Sequence, residues 1–286
     1  TMKKKLILGS LVGVLCAACT CAATNYNTTA SGNWTSPSVW QNSTVPPVDA
    51  GAASTDTISI TRGSVVEVNS TMNYNPRLHI GNSAGAGTVR VMAGGDLTVN
   101  QRVYVGINSG TNMGLLSIEG GTLHAKGATG NYGFYVASGV ANYGATGYLA
   151  VSSGSLLFDQ GNMQFGVGIN GNGANSGANA TINQTGGTIA GAAYLTVSGT
   201  TTLTDGYSLS SQISLMGGVF SLSGQTNNAH TFGTNAVSGV HVALTVSSNM
   251  TTFSLGNNTQ FSGSDTKLIF DVAQRGSWGG KTIAQF

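Results

Sequence analysis

Apolar and polar residues alternate along this chain in short bursts that return at a regular interval. A burst of two apolar residues around a variable one, closed by a small residue, reads Leu78-His79-Ile80-Gly81, Val103-Tyr104-Val105-Gly106, Phe134-Tyr135-Val136-Ala137, Phe165-Gly166-Val167-Gly168 and Leu195-Thr196-Val197-Ser198. The closing small residue steps from 81 to 106, 137, 168 and 198, intervals of 25, 31, 31 and 30 residues. A second burst follows each first one: Val89-Arg90-Val91, Leu116-Ser117-Ile118, Leu149-Ala150-Val151, Ala180-Thr181-Ile182 and Ile213-Ser214-Leu215. A third follows after one or two glycines in most repeats, as in Leu97-Thr98-Val99, Leu123-His124-Ala125, Leu156-Leu157-Phe158, Ile189-Ala190-Gly191 and Phe220-Ser221-Leu222.

Alternation of this kind puts both apolar side chains on one face of a strand. Three such strands make one triangular coil that can neither bury its apolar face nor pair its strand edges alone. Stacking the next coil about 4.8 Å above does both, giving three parallel sheets around one core. Each inward Val, Ile, Leu or Phe then contributes roughly 1.5–3 kcal/mol of burial. The expected fold is therefore all-β: a parallel β-helix (β-solenoid) with three short strands per coil and about 6–7 coils of roughly 25–31 residues. It is expected to be right-handed, the hand that parallel crossovers take.

The ends depart from the period. Residues 1–23 read as a signal peptide: Met2-Lys3-Lys4-Lys5, an apolar run from Leu6 to about Ala18, then Cys21-Ala22-Ala23, with cleavage expected after Ala23. The run is too short for a transmembrane anchor. Residues 24–55, with Trp34, Trp40 and Pro46-Pro47, read as an N-terminal cap over the first coil. An alternative use for the two tryptophans is sugar stacking at the rim. Residues 56–286 read as the solenoid, regular to about residue 224 and looser beyond it. The segment from Gly276 to Phe286 is the least patterned, and neither a complete outer-membrane barrel nor a C-terminal sorting helix is recognisable.

Charge removes some functional classes. Without Lys3, Lys4 and Lys5, eight basic residues face nine acidic ones, and no basic patch remains. Nucleic acid is not an expected partner, because the phosphate contribution needs clustered Lys and Arg. All three cysteines (Cys16, Cys19, Cys21) fall within the signal segment, so the mature chain is expected to hold no disulfide, thiolate metal site or thiol nucleophile. Lipidation of Cys19 is the rival reading, with Cys16 where the usual signal has an aliphatic residue. No cofactor is expected.

The run Asn33-Trp34 … Trp40 … Pro46, followed by Asp56-x-Ile58-x-Ile60, Leu78-His79-Ile80-Gly81 and steps such as Gly120-Gly121-Thr122-Leu123, resembles exported bacterial surface proteins of the autotransporter-passenger and PEP-CTERM type. The likeness covers about residues 24–260 and lies in repeat style. It implies a β-helical protein at the cell surface or outside the cell, often adhesive. The barrel or sorting signal of those groups is missing here, so the anchoring mode stays open between a longer chain and a secreted form.

Candidate chemistry is sparse. Glycoside hydrolysis needs two carboxyl groups about 5–9.5 Å apart. Aligned by repeat, Asp96 falls opposite Thr122 and Ser155, and Glu119 opposite Met92 and Ser152, so no two acids share a ladder in neighbouring coils. Calcium would need about six to eight oxygen ligands, and its glycine-rich repeat is missing. His79, His124, His230 and His241 show no carboxylate companion in the pattern, and His79 and His124 are expected to face solvent. Gly81-Asn82-Ser83-Ala84-Gly85 fits a nucleophile elbow in form, but a glycine-rich turn follows where that motif needs a helix. One outward column, His79, Tyr104, Tyr135, Gly166 and Thr196, is the candidate glycan-binding stripe, through His79, Tyr104 and Tyr135. The competing reading is a ladder that only stacks on itself.

The leading expectation is a non-enzymatic, exported β-solenoid, adhesin-like or structural. It presents a Ser/Thr/Asn-rich rod whose loops near 106–115, 137–147 and 168–179 carry contacts. A glycan-binding module is the alternative, and a polysaccharide lyase or hydrolase the third reading. Expected partners are an extracellular glycan or envelope component, or a second copy associating end to end. The chain as given is not expected to be an integral membrane protein.

Overall fold

Along each strand the burial alternates as the sequence does. Leu78 and Ile80, Val89 and Val91, and Leu97 and Val99 are buried, while the residues between them are half-exposed. The computed structural model describes residues 23–48, 55–127, 133–139, 144–160, 163–170, 177–198, 208–224, 229–233, 239–256, 259–262 and 265–271. The expected signal segment up to residue 22, the loop at 171–176 and the C-terminal residues 272–286 lie outside these.

The strands stack in parallel as a β-solenoid of about six turns. A first face runs through Asn25–Asn27, Thr57–Ile60, Arg77–Ile80, Val103–Ile107, Gly133–Gly139, Gln164–Asn170, Tyr194–Val197, His230–Phe232 and Thr259–Phe261. Its register pairs Ile80, Val105, Val136, Val167 and Val197 in turn, reproducing the sequence period. A second face includes Ser64–Val68, Gly87–Met92, Ala178–Gln184, Leu209–Leu215, Val240–Val246 and Thr266–Phe270. A third includes Thr71–Tyr74, Asp96–Val99, Thr188–Gly191, Gly218–Leu222 and Met250–Leu255.

The expected three sheets are two by hydrogen bonding. Strands Met113–Ala125 and Ala145–Phe158 run unbroken from the second face to the third and fuse them. A bulge at that bend shifts the register, so Glu119 pairs with Ser153 rather than Ser152.

The corner between the first and second faces explains the closing small residue. Gly81, Gly106, Gly168 and Gly233 all have φ between 61° and 77°, where a Cβ is disfavoured. Ala137 (φ 56°) and Ser198 (φ 49°) accept the same conformation at the same place. Residues 81–85 form a tight turn, with backbone bonds between Asn82 and Gly85 at 3.0 Å, so Ser83 leads into no helix.

The core is continuous from Trp34 to Val246. At its N-terminal end Trp34 and Trp40 are buried, their rings 5.2 Å apart, and Trp34 lies 5.3 Å from Tyr74. Trp40 Nε1 donates to Trp34 O at 2.7 Å. Neither indole face is open to a sugar. Asn25–Asn27 and Gly32–Asn33 already pair in parallel with the next turn, so this segment joins the stack.

Candidate functional site

The outward column on the first face is assembled by register: His79 opposite Tyr104, Tyr104 opposite Tyr135, Tyr135 opposite Gly166, and Gly166 opposite Thr196. The rings meet each other. His79 packs edge-on to Tyr104 with centroids 5.1 Å apart, and Tyr104 and Tyr135 stack at 5.1 Å with planes 24° apart. Only 9% of Tyr104 is exposed, so its faces are used within the ladder and the rings turn edges outward. Gly166 completes the column because Tyr135 and Ile169 lean over it. A Cβ there would lie 1.9 Å from Ile169 Cδ1 and 2.6 Å from Tyr135 Cδ1.

Polar groups line this ladder. Arg102 Nη1 donates to the Tyr104 hydroxyl at 3.2 Å, Tyr135 donates to Gln164 Oε1 at 3.3 Å, and Gln164 Nε2 donates to Thr196 Oγ1 at 3.2 Å. Burial pushes the Tyr135 phenol up to about 12.

His79 faces outward but is not the solvent-exposed histidine expected. Its Nε2 is buried and has no hydrogen-bond partner among the described residues. Burial, reinforced by the Arg77 guanidinium, holds the imidazole down at about 4. The unfolded chain, with an ordinary value near 6.5, binds that proton more readily, so stability is lost as pH falls from about 6.5 through 4. Melting temperature should therefore drop across that window, by the equivalent of roughly 2–3 kcal/mol for this residue. In His79→Gln the drop should be smaller. An unchanged pH profile in that variant would remove His79 as its source.

Two of the histidines also have carboxylate companions, contrary to the expectation from spacing. His124 Nδ1 lies 3.0 Å from Asp159 Oδ2, and its Nε2 lies 3.8 Å from Asp96 Oδ1. The two acids approach opposite ring nitrogens, so they do not converge on one ion. His241 Nδ1 is 2.5 Å from Asp265 Oδ2. The spacing hid these pairs because Asp159 and Asp265 sit just outside the strands. His230 takes an inward position, buried, with Nδ1 accepting the Leu195 N–H at 3.0 Å, and burial lowers its pKa.

Arg90 is clamped between coils. Its Nη1 meets Glu67 at 2.8 Å, and its Nη2 and Nε meet the two Glu119 oxygens at 2.6 and 3.0 Å. This bidentate bond holds the Glu119 carboxyl below its ordinary range. Its signal was present in the sequence: Glu67 in Val66-Glu67-Val68 and Arg90 in Val89-Arg90-Val91 are the middle residues of alternating triplets one coil apart.

Two further arrangements gather polar side chains. An open groove of about 330 Å³ crosses several coils and is lined by Gly110, Thr146, Gly177, Asn179, Ser208 and Ser210, among others. Ser210 pairs with His241 in register, and Asp265, just ahead of the next strand, meets the His241 ring. However, His241 and Asp265 are 56% and 59% exposed, and no hydrogen bond joins Ser210 to His241 among the described residues. A solvated Asp–His pair one coil from a serine lacks the water-excluded contact that activates a nucleophile.

These features define the class: a parallel β-solenoid repeat protein with a stacked aromatic ladder on one face. Compared with known proteins, the chain matches no family model, no curated protein and no solved structure.

Proposed function

We propose that this chain is an exported β-solenoid that works by display, as a rigid adhesin-like or structural rod of the bacterial envelope, without catalysing a reaction. The observation that carries the reading is the state of its carboxylates. Glu67 and Glu119 are tied to Arg90, Asp96 and Asp159 flank His124, and Asp265 binds His241. Asp56 accepts the Thr24 N–H at 2.7 Å, and Asp271 accepts the Ser248 hydroxyl at 3.0 Å. Acid–base cleavage of a polysaccharide needs one carboxyl group held protonated and a second poised opposite. Here each described acid is already engaged.

Support for export comes from the basic, apolar, small-residue start that ends at Ala23. The likeness in repeat style to autotransporter passengers and PEP-CTERM-type proteins gives the finer reading. The test is expression of the chain in a bacterial host, with fractionation, N-terminal sequencing and protease treatment of intact cells. The expected result is a product starting at Thr24 outside the cytoplasm. Retention of the uncleaved chain in the cytoplasm would overturn the reading. Turnover on a panel of polysaccharides would overturn its non-catalytic part.

A further inference from the structure

The second face changes character at its middle. Strands Ala145–Phe158, Ala178–Gln184 and Leu209–Leu215 contain no Asp, Glu, Lys, Arg or His. Glu67 and Arg90 lie on the same face to one side of them, and His241 and Lys267 to the other. Register sorts the outward residues of the three strands into two columns along the rod. One is Thr146, Asn179 and Ser210; the other is Tyr148, Thr181 and Gln212. Within each column successive rungs stand about 4.8 Å apart, the spacing of neighbouring strands.

The groove of about 330 Å³ follows the first column, and it is open because its border lacks side chains. Gly110, Gly144 and Gly177 succeed one another coil by coil. The Gly110 N–H donates to Gly144 O at 2.9 Å, and the Ala145 N–H to Gly177 O at 3.1 Å. Polar atoms along the groove are unspent. Asn179, Thr181, Ser208, Ser210 and Gln212 make no side-chain hydrogen bond to another described residue. The Thr146 hydroxyl donates to Gly110 O at 3.0 Å and can still accept. Tyr148 differs from Tyr104 in the same way. It is partly exposed, and neither its ring nor its hydroxyl has a partner among the described residues.

We infer that the middle of the second face binds an uncharged, extended polysaccharide lying along the rod axis. A pyranose presents apolar C–H faces and a rim of hydroxyls, so it suits an open aromatic ring beside uncharged hydrogen-bonding groups. Tyr148 supplies that ring. The two columns supply hydroxyls and amides, which both donate and accept. A straight chain of β-linked sugars keeps meeting such groups on successive rungs, whereas a coiled chain leaves the face after one. Tyr104 cannot serve in this way, because its ring faces are used within the first-face ladder. The inference goes beyond display by giving the rod a ligand, and rests on that reading only for the ligand's extracellular source.

The test is binding of the purified full chain to soluble mixed-linkage β-glucan, with dextran and polygalacturonate in parallel. Saturable binding to β-glucan is expected, unchanged as salt rises because no ion pair contributes. Tyr148→Ala should weaken it about tenfold, and Tyr148→Phe much less. Asn179→Ala should weaken it about threefold to tenfold. Gly144→Leu should abolish it by filling the groove. That position has room: an added Cβ would come no nearer than 3.8 Å to Gly110 Cα or Gly177 O, and its φ is not positive. Thr98→Ala, outward on the third face, should leave binding unchanged. Melting curves on each variant separate lost binding from lost fold. Absence of saturable binding overturns the site. So does full affinity in Gly144→Leu or Tyr148→Ala with the parent's melting curve, or an equal loss in Thr98→Ala. Tighter binding to polygalacturonate overturns the uncharged assignment, and equal binding to dextran overturns the extended one. None of these results bears on where the protein resides, so export can stand if the groove fails.

Discussion

Gly114→Ala is expected to lower the stability of the solenoid by about 3 kcal/mol or more, a large effect for one methyl group. The added Cβ would lie 2.0 Å from Ile80 O and 2.2 Å from Gly106 N, both backbone atoms that cannot rotate aside. The same corner recurs at Gly87, 1.9 Å from Ile60 O, and at Gly147, 2.1 Å from Val105 O. There the first face ends and the second begins, and successive coils approach backbone to backbone. Further along, the same register position holds Ala180, Ser211 and Val242. Ser211 fills its corner by donating to Val167 O at 3.2 Å and bonding Ser198 Oγ at 2.8 Å. The control is Gly110→Ala, where φ is 57° but nothing lies within 4 Å, so only backbone strain of about 1–2 kcal/mol applies. Urea unfolding of the three proteins makes the comparison. If Gly114→Ala costs no more than Gly110→Ala, close backbone approach is not what keeps these positions glycine.

That corner shows why so much of the fold was legible. Period-two alternation states which side chains point inward, and a repeat of fixed length states which strands stack, so Leu78, Val103, Phe134, Phe165 and Leu195 could be placed in one row from the sequence. The column His79–Tyr104–Tyr135 followed from the same arithmetic. Direction was legible, but cover was not. Alternation says that Tyr104 points outward and cannot say that Tyr135, His79 and Arg102 will surround it. The carboxylate partners of His124 and His241 were missed for a related reason: Asp159 and Asp265 lie beyond the strand ends, where repeat alignment has no register to offer. The bulge after Ile118 is one residue of irregularity, enough to move Glu119 from Ser152 to Ser153.

Phe165→Ala should cost about 3–5 kcal/mol, the loss expected for truncating a large, fully buried aromatic side chain. Phe165 sits midway along the stack with its ring centroid 4.9 Å from Phe158 and 5.6 Å from Phe134, and the latter two are 5.7 Å apart. Two of these rings come from the first face and one from the third, so the cluster ties separate walls of two consecutive coils. Phe261 provides the contrast. It stacks on Phe232 at 5.0 Å but is 49% exposed, so Phe261→Ala should cost less than about 1.5 kcal/mol. In a solenoid each coil contacts only its neighbours, and stability is close to a sum of coil and interface contributions. A central defect should therefore split unfolding, with hydrogen exchange accelerating around Phe134–Leu195 while the N-terminal coils keep their protection. Loss of N-terminal protection in step with the central coils would mean that the rod unfolds as one cooperative unit.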